Sequence, residues 1–377
     1  MEQADQKIKL AGKGLGSDTG RIQRVSTFGR LMRRPELGAM SGVILVYLVF
    51  SLLAGSSGMF SAEGMVNIFQ VSAELGILAV AAAMLMIAGE FDLSMGSMVA
   101  FAGVTIGIAV TEFHFSLPAA VLLAFVFAVL VGGLNGWLVV RTGLPSFIVT
   151  LASMFILRGL AVGLTRLLTG RTQIPYITDG VESSFVVQLF SGHVFGGLFS
   201  WLAAHGLVAS SVNGEAQIEG IPMSVIWWLA LTALATWVLL RTRFGNWIFA
   251  VGGDANAARN VGVPVNRVKI MLFILTAVAS TLFATIQVLE SGSADTLRGV
   301  QKEFEAIIAV VIGGTLLTGG YGSAIGAMLG ALIFGTVQIG IFYTGIDTDW
   351  FKVFLGVMVL VAVLFNNYVR RRATLAR

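Results

Sequence analysis

Long apolar runs dominate this chain. Near 40–56, 66–88, 96–111, 118–140, 145–165, 222–240, 268–290, 304–318, 322–343 and 350–367 it is almost free of charge. A helix needs about 20 such residues to cross the hydrocarbon core of a bilayer. A soluble fold still needs polar cover for its surface. Here only 12% of 377 residues are charged, about half the usual share. The runs predict an all-α integral membrane protein of about ten transmembrane helices. Pro118, Pro145 and Pro222 open runs, where a missing N–H costs nothing, and Pro35, Pro175 and Pro264 lie between runs. The 46 glycines suit helices that pack closely in lipid.

Basic residues set the expected orientation. With residue 1 inside, 18 of the 24 Lys and Arg residues fall on the cytoplasmic side: in 7–34, at Arg141, in 241–269 and in 370–377. Arg166, Arg171, Arg298, Lys302 and Lys352 fall outside, and Arg158 lies within a run. Both termini are therefore predicted cytoplasmic and the number of crossings even. The organisation expected is a cytoplasmic tail over 1–36, a transmembrane domain over 37–369 and a short tail over 370–377. The first tail lacks the apolar stretch of a signal peptide. Residues 166–221 form an outer-face segment and 241–267 a cytoplasmic loop. Residues 184–209 are apolar, but a crossing there would reverse every later loop against the charge bias. They are expected to be re-entrant or interfacial.

The chain has no cysteine, which excludes disulfides and thiolate chemistry. It has no Gly-x-x-x-x-Gly-Lys-Ser/Thr loop, so it carries no P-loop for ATP. Its histidines, His114, His193 and His205, fall in outer loops, and no run offers a His-Glu-x-x-His or a Ser–His pair at depth. No enzyme chemistry, metal, cofactor or nucleic-acid binding is expected. Work driven by ATP would need a partner that binds the nucleotide.

Several residues stand out. In the loop 241–267, Asp254 is an N-cap candidate, Ala255–Val261 is helix-forming, and Gly262 with Pro264 stops it. This predicts a two-turn helix between glycine hinges, either an ordinary connector or a stiff grip for a soluble partner. Glu90, Asp92 and Ser94 lie in a turn entering the third run, where Asp92 either caps the helix or bonds a hydroxyl-rich substrate. Gly313, Gly314 and Thr315 break the eighth run, as a tight turn or as unwound backbone on a pathway. Glu74 and Arg158 lie inside runs at similar depth and are expected to pair, as a structural salt bridge or as part of a passage. Asn67, Gln70 and Asn135 are softer candidates for hydroxyl contacts. The stretches Asp92–Ser97 and Thr318–Ser323 each bring a Gly-Ser pair to a helix start, a faint internal likeness.

Four collinear stretches resemble one family. Phe244–Val263 resembles the coupling loop of the permeases of monosaccharide ABC importers, the ribose, xylose, arabinose and galactose group. Glu90–Ser97, Leu144–Leu151 with Arg158-Gly159, and Ala306–Gly322 match the same family, so the resemblance runs from about 66 to 367. Glu90-Phe91 departs from the small residue or Gly and the Ile usual before the Asp, and 166–221 carries no matching motif. The resemblance implies a pathway near a permease–permease interface, between two copies or with a paralogue. It also implies a soluble sugar-binding protein outside and ATPase subunits inside, in a bacterial inner membrane. Gly252, Gly253, Asp254, Ala257, Ala258, Arg259 and Gly262 would then couple to the ATPase. The competing reading is a self-contained carrier driven by H⁺ or Na⁺, for which the runs supply few buried carboxylates. Within the importer class, a vitamin or amino-acid substrate competes with a sugar.

Overall fold

A computed structural model describes residues 35–181, 183–210, 216–358 and 360–361. Nearly all of residues 1–36, and 362–377, lie outside the described residues, and with them the two expected tails.

The fold is helical. In chain order the helices are α1 (Pro35–Ala54), α2 (Ala62–Ile87), α3 (Met95–Thr111), α4 (Leu117–Thr142) and α5 (Ser146–Thr169). Two short helices follow, α6 (Phe185–Ser191) and α7 (Gly196–Ala204), then α8 (Met223–Arg241), α9 (Arg243–Gly253) and α10 (Ala255–Asn260). The described part ends with α11 (Val265–Ser291), α12 (Lys302–Ile312), α13 (Ala324–Thr344) and a helical stretch over 351–358. Two-residue strands pair antiparallel in the long loops: β1 (Gln173–Ile174) with β4 (Ala294–Asp295), and β2 (His193–Val194) with β3 (Ile221–Pro222).

Local chemistry fixes the helix ends. Ser61 accepts a hydrogen bond from Gly64 N–H at 3.1 Å to start α2. Pro118 sits in the first turn of α4. Helices α4, α5, α11 and α13 each stop at a glycine in the left-handed conformation (Gly143, Gly170, Gly292, Gly345).

Among the described residues, seven helices (α1, α2, α4, α5, α8, α11, α13) are long and apolar enough to cross a membrane. Helix α2 is the hub, packing on α8, α11, α12 and α13. It is buried almost throughout its second half, whereas α1, α4, α5 and α8 expose Leu52, Leu130, Phe155 and Trp237. Small residues set the closest crossings. A Cβ on Gly132 or Gly136 of α4 would lie 2.6–2.7 Å from the α11 backbone at Phe273 and Ile270.

Two expected runs differ. The run 304–318 is not one continuous span: α12 has 11 residues and stops at Gly313, roughly 16 Å of helix. The run 96–111 forms α3, 17 residues long, but its start lies deep among the other helices. Residues 184–209 form two helices of 7 and 9 residues, each too short to cross. The last run, 350–367, is helical over 351–358 and continues outside the described residues.

Candidate functional site

The chain between α2 and α3 re-enters the bundle, as the neighbours of each residue along α5 show. Phe91 N–H donates to Ser146 Oγ at the start of α5 (3.0 Å), and Leu93 N–H donates to Thr150 Oγ1 one turn further (3.0 Å). Arg158, two turns beyond, donates from Nε and Nη2 to Ser97 Oγ (both 3.2 Å). Residues 88–94 thus climb from the end of the bundle that carries α9 and α10. Non-helical backbone at such depth survives only where protein satisfies it; Ser146 and Thr150 of α5 do so here, while α4 and α11 bond the side chains of Ser94 and Asp92. Asp92 Oδ1 accepts from Ser94 N (2.8 Å) and Ser94 Oγ (2.6 Å), and Asp92 Oδ2 accepts from Thr276 Oγ1 (2.6 Å). Asn135 Nδ2 donates to Ser94 Oγ (3.1 Å), and Asn135 Oδ1 accepts from Ser153 Oγ. Lys269 pairs with Glu90. Ser94, not Asp92, takes the N-cap position of α3, so Asp92 holds the turn together instead of capping the helix.

A second segment enters from the opposite end. Ala294 packs on Gly107 near the far end of α3, and Gly299 packs on Gly96 and Val99 near its start. Residues 294–299 therefore descend alongside α3. Helix α12 then continues in the same direction, with Ala309 against Gly330 and Gly313 against Gly326 of α13. The N-termini of α3 and α12 meet: Glu303, in the first turn of α12, lies against Gly96 in the first turn of α3. Thr276 lies 11 residues into α11 and Arg158 12 into α5, roughly 16–18 Å of rise. The meeting point is therefore about half-way through a 30 Å core. Both N-termini carry partial positive charge, and Asp92 and Glu303 supply the opposing charge.

At the α9–α10 end the two broken segments and the loop share one junction. A Cβ on Gly252 would overlap the Ile87 carbonyl and lie 2.6 Å from Gly320 N. One on Gly319 would lie 2.8 Å from Gly89 Cα. Gly320 N–H itself donates to Ile87 O at 2.8 Å. Beside the junction, Asp254 caps α10, its Oδ1 accepting from Asn256 N (2.8 Å) and Ala257 N (3.0 Å). Gly262 (φ +88°) ends the turn, with its N–H donating to Arg259 O at 3.1 Å. Asn256, Ala257, Arg259 and Asn260 face outward and Val261 is 80% exposed, whereas Ala258 is packed inward.

At the far end, α2 and α11 bring amides and carboxylates together. Gln287 Nε2 donates to Glu74 Oε2 (3.0 Å), and Gln70 donates to Glu290. Arg298 Nη1 donates to Gln287 O (3.0 Å), Ser291 Oγ (2.7 Å) and Ser293 O (2.9 Å). The expected Glu74–Arg158 pair does not form: Glu74 is bonded to Gln287 and Arg158 to Ser97. Equal depth does not make neighbours, because α2 packs on α8, α11, α12 and α13 while α5 packs on α3 and α4. Gly313, Gly314 and Thr315 form a turn closed by Gly314 N–H to Val311 O and Thr315 N–H to Val310 O, with Thr315 buried.

The sequence reading missed Glu303, Ser97, Thr276, Lys269 and the helix α9. The signal for α9 was present: Thr242 caps it, accepting from Gly245 N at 3.1 Å, and Phe244, Trp247, Ile248 and Val251 recur at helical spacing. Nothing local in the sequence marks Glu303, which stands between Lys302 and Glu305.

The family model described as the permease component of branched-chain amino acid transport systems matches residues 64–363. The chain belongs to this family. It is a multi-pass inner-membrane transport component, not an enzyme in itself. The xylose transport system permease protein XylH of Escherichia coli K12 is 29% identical over 366 residues, covering 90% of this chain and 93% of that protein. The probable ABC transporter permease protein YphD of the same strain is 34% identical, covering 91% and 92%. The ribose import permease protein RbsC is 30% identical, covering 92% and 97%. No solved structure matches the chain.

Proposed function

We propose that this permease carries a monosaccharide (a pentose, hexose or related polyol) into the cell as the membrane subunit of an ATP-binding-cassette importer. The observation that supports this best is similarity over nine-tenths of the chain to permeases named for xylose and ribose. A separate ATPase binds the ATP, a soluble sugar-binding protein delivers the substrate, and a second copy or a paralogue completes the membrane part. Family membership favours this reading over a carrier driven by H⁺ or Na⁺.

In this reading both termini and the α9–α10 end are cytoplasmic. Ten crossings result if the two broken segments, 88–111 and 292–323, each count as one and the chain after Trp350 completes the last. The ATPase grips the outward face of α10 through Asn256, Ala257 and Arg259, and Asp254 keeps that helix formed. Gly252 and Gly253 transmit the movement. Gly252 lies on Ile87 and Gly320, so a push on α9 reaches both re-entrant segments at once, and through them the starts of α3 and α12. The polar cluster at the far end (Gln70, Glu74, Gln287, Glu290) offers donors and acceptors to an incoming polyol. Asp92, Ser94, Asn135 and Arg158 line or brace the mid-depth part, Glu90 braces the climb toward it, and Gly313, Gly314 and Thr315 brace its inner turn.

A mild-detergent pull-down of the tagged chain, with partners identified by mass spectrometry, tests the proposal. Recovery of a P-loop ATPase is expected. Recovery of this chain alone, from an extract in which other importer complexes survive, would contradict it.

A further inference from the structure

Glu303 is an unusual carboxylate. It is 3% exposed, in the first turn of α12, and no hydrogen-bond donor among the described residues reaches its Oε2. An acidic oxygen held at mid-depth without a donor costs stability. Balancing the two helix dipoles asks only for charge nearby, not for an oxygen left open. Around that oxygen the structure assembles donors. Helix α3 begins at Ser94 without a side-chain cap, so its first-turn N–H groups face the meeting point. The Arg158 guanidinium is anchored on Ser97 Oγ, one residue after the Gly96 that Glu303 covers. Gly96 has no side chain, and any Cβ there would overlap the carboxylate. The space between the two half-helices is therefore closed by contact between Glu303 and a bare backbone, with an open acceptor on one side and uncapped donors on the other.

We propose that Glu303, the first turn of α3 and Arg158 form a mid-depth subsite that hydrogen-bonds the hydroxyl groups of a neutral polyol. The subsite is closed in this conformation and opens when α3 and α12 part. Each hydroxyl both donates and accepts: it donates to Glu303 Oε2 and accepts from an α3 N–H or from Arg158. Acceptor and donors sit on two different half-helices, so the occupied subsite bridges them. It empties when the helices separate further, which gives passage without tight binding. This rests on the importer reading above.

The test uses the assembled permease, ATPase and binding protein in proteoliposomes, with radiolabelled D-xylose, D-ribose and 2-deoxy-D-ribose as probes. ATP-dependent uptake by the unaltered complex, of one of these pentoses or of D-galactose, D-glucose or myo-inositol with their deoxy analogues, is the precondition set by the importer reading. Its absence for every one of these would contradict that reading and leave no substrate for this subsite. Given uptake, Glu303→Gln is expected to lower the maximal rate at least ten-fold. The half-saturating concentration of loaded binding protein should stay unchanged. The rate ratio of ribose to 2-deoxyribose should also move toward one, a change that a merely structural role would not produce. Unchanged maximal rate and unchanged ratio in Glu303→Gln would overturn the subsite and leave the importer standing. If that variant does not reach the membrane, Ser97→Ala, which releases Arg158, carries the same test: a shifted ratio supports the subsite and a constant one overturns it.

Discussion

The N–H of Gly320 donates to the carbonyl of Ile87 at 2.8 Å, tying the turn after α12 to the last residue of α2. Gly252 covers the same carbonyl so closely that a Cβ would overlap it. Three segments that are far apart in sequence meet there on bare backbone. Two of them lead to the helix starts at mid-depth, and the third belongs to the loop that a cytoplasmic partner would hold. A side chain at this point has no room unless the segments separate.

Gly252→Val therefore tests the junction. Overpacking of this kind costs about 1–3 kcal/mol, and uptake is expected to fall well below that of the unaltered protein. Gly253→Ala is the control, since a Cβ at Gly253 meets nothing within 4 Å. It should keep the thermal stability of the unaltered protein, because it overpacks nothing. Uptake and thermal stability measured side by side check both.

Neighbouring alanines of α10 should behave oppositely. Ala257 faces outward and Ala258 is 4% exposed. Ala257→Glu is expected to leave membrane abundance intact while abolishing ATPase co-purification and uptake. Ala258→Glu forces a carboxylate into packed apolar surroundings and should lower abundance. Equal behaviour of the two would remove the assignment of the outward face as the docking surface.

Lys269 and Glu90 form an ion pair whose side chains are mostly buried. Removing one member of such a pair leaves an uncompensated charge, at a cost of about 3 kcal/mol or more. Lys269→Met alone should be strongly destabilising, and Lys269→Met combined with Glu90→Gln should recover most of the loss. Denaturation in detergent reads this directly, and additive losses would mean that the pair is not coupled.

Asp92 and Thr276 make a second coupled pair, at 2.6 Å. Thr276→Val and Asp92→Asn are each expected to destabilise by about 1–3 kcal/mol, because each leaves a buried partner unsatisfied. A double-mutant cycle should return a coupling of about 0.5–3 kcal/mol. A coupling near zero would place the support for the re-entrant turn elsewhere.

Much of the fold was legible in the sequence. Runs of apolar residues mark the seven long helices, and proline and glycine mark their ends, because both signals are local. Asp254 was readable as a cap for the same reason. The broken spans were harder. The run at 304–318 is apolar on both sides of Gly313, and hydropathy cannot distinguish a continuous helix from a half-helix and a turn. Glu303 reads as a loop residue beside Lys302 and Glu305, and only the descent of residues 294–299 along α3 carries it to mid-depth. The Glu74–Arg158 pairing failed because depth follows from position in a run, whereas neighbours follow from which helix packs on which.

ATP bound by the partner subunit, and not an ion gradient, is expected to drive import, and reconstituted transport decides between them. Proteoliposomes holding the purified permease–ATPase complex, with ATP enclosed on the ATPase side and loaded binding protein on the other, should accumulate labelled pentose. Accumulation should stop without ATP and continue with a protonophore present. Accumulation driven by an imposed H⁺ or Na⁺ gradient in the absence of ATP would contradict the account.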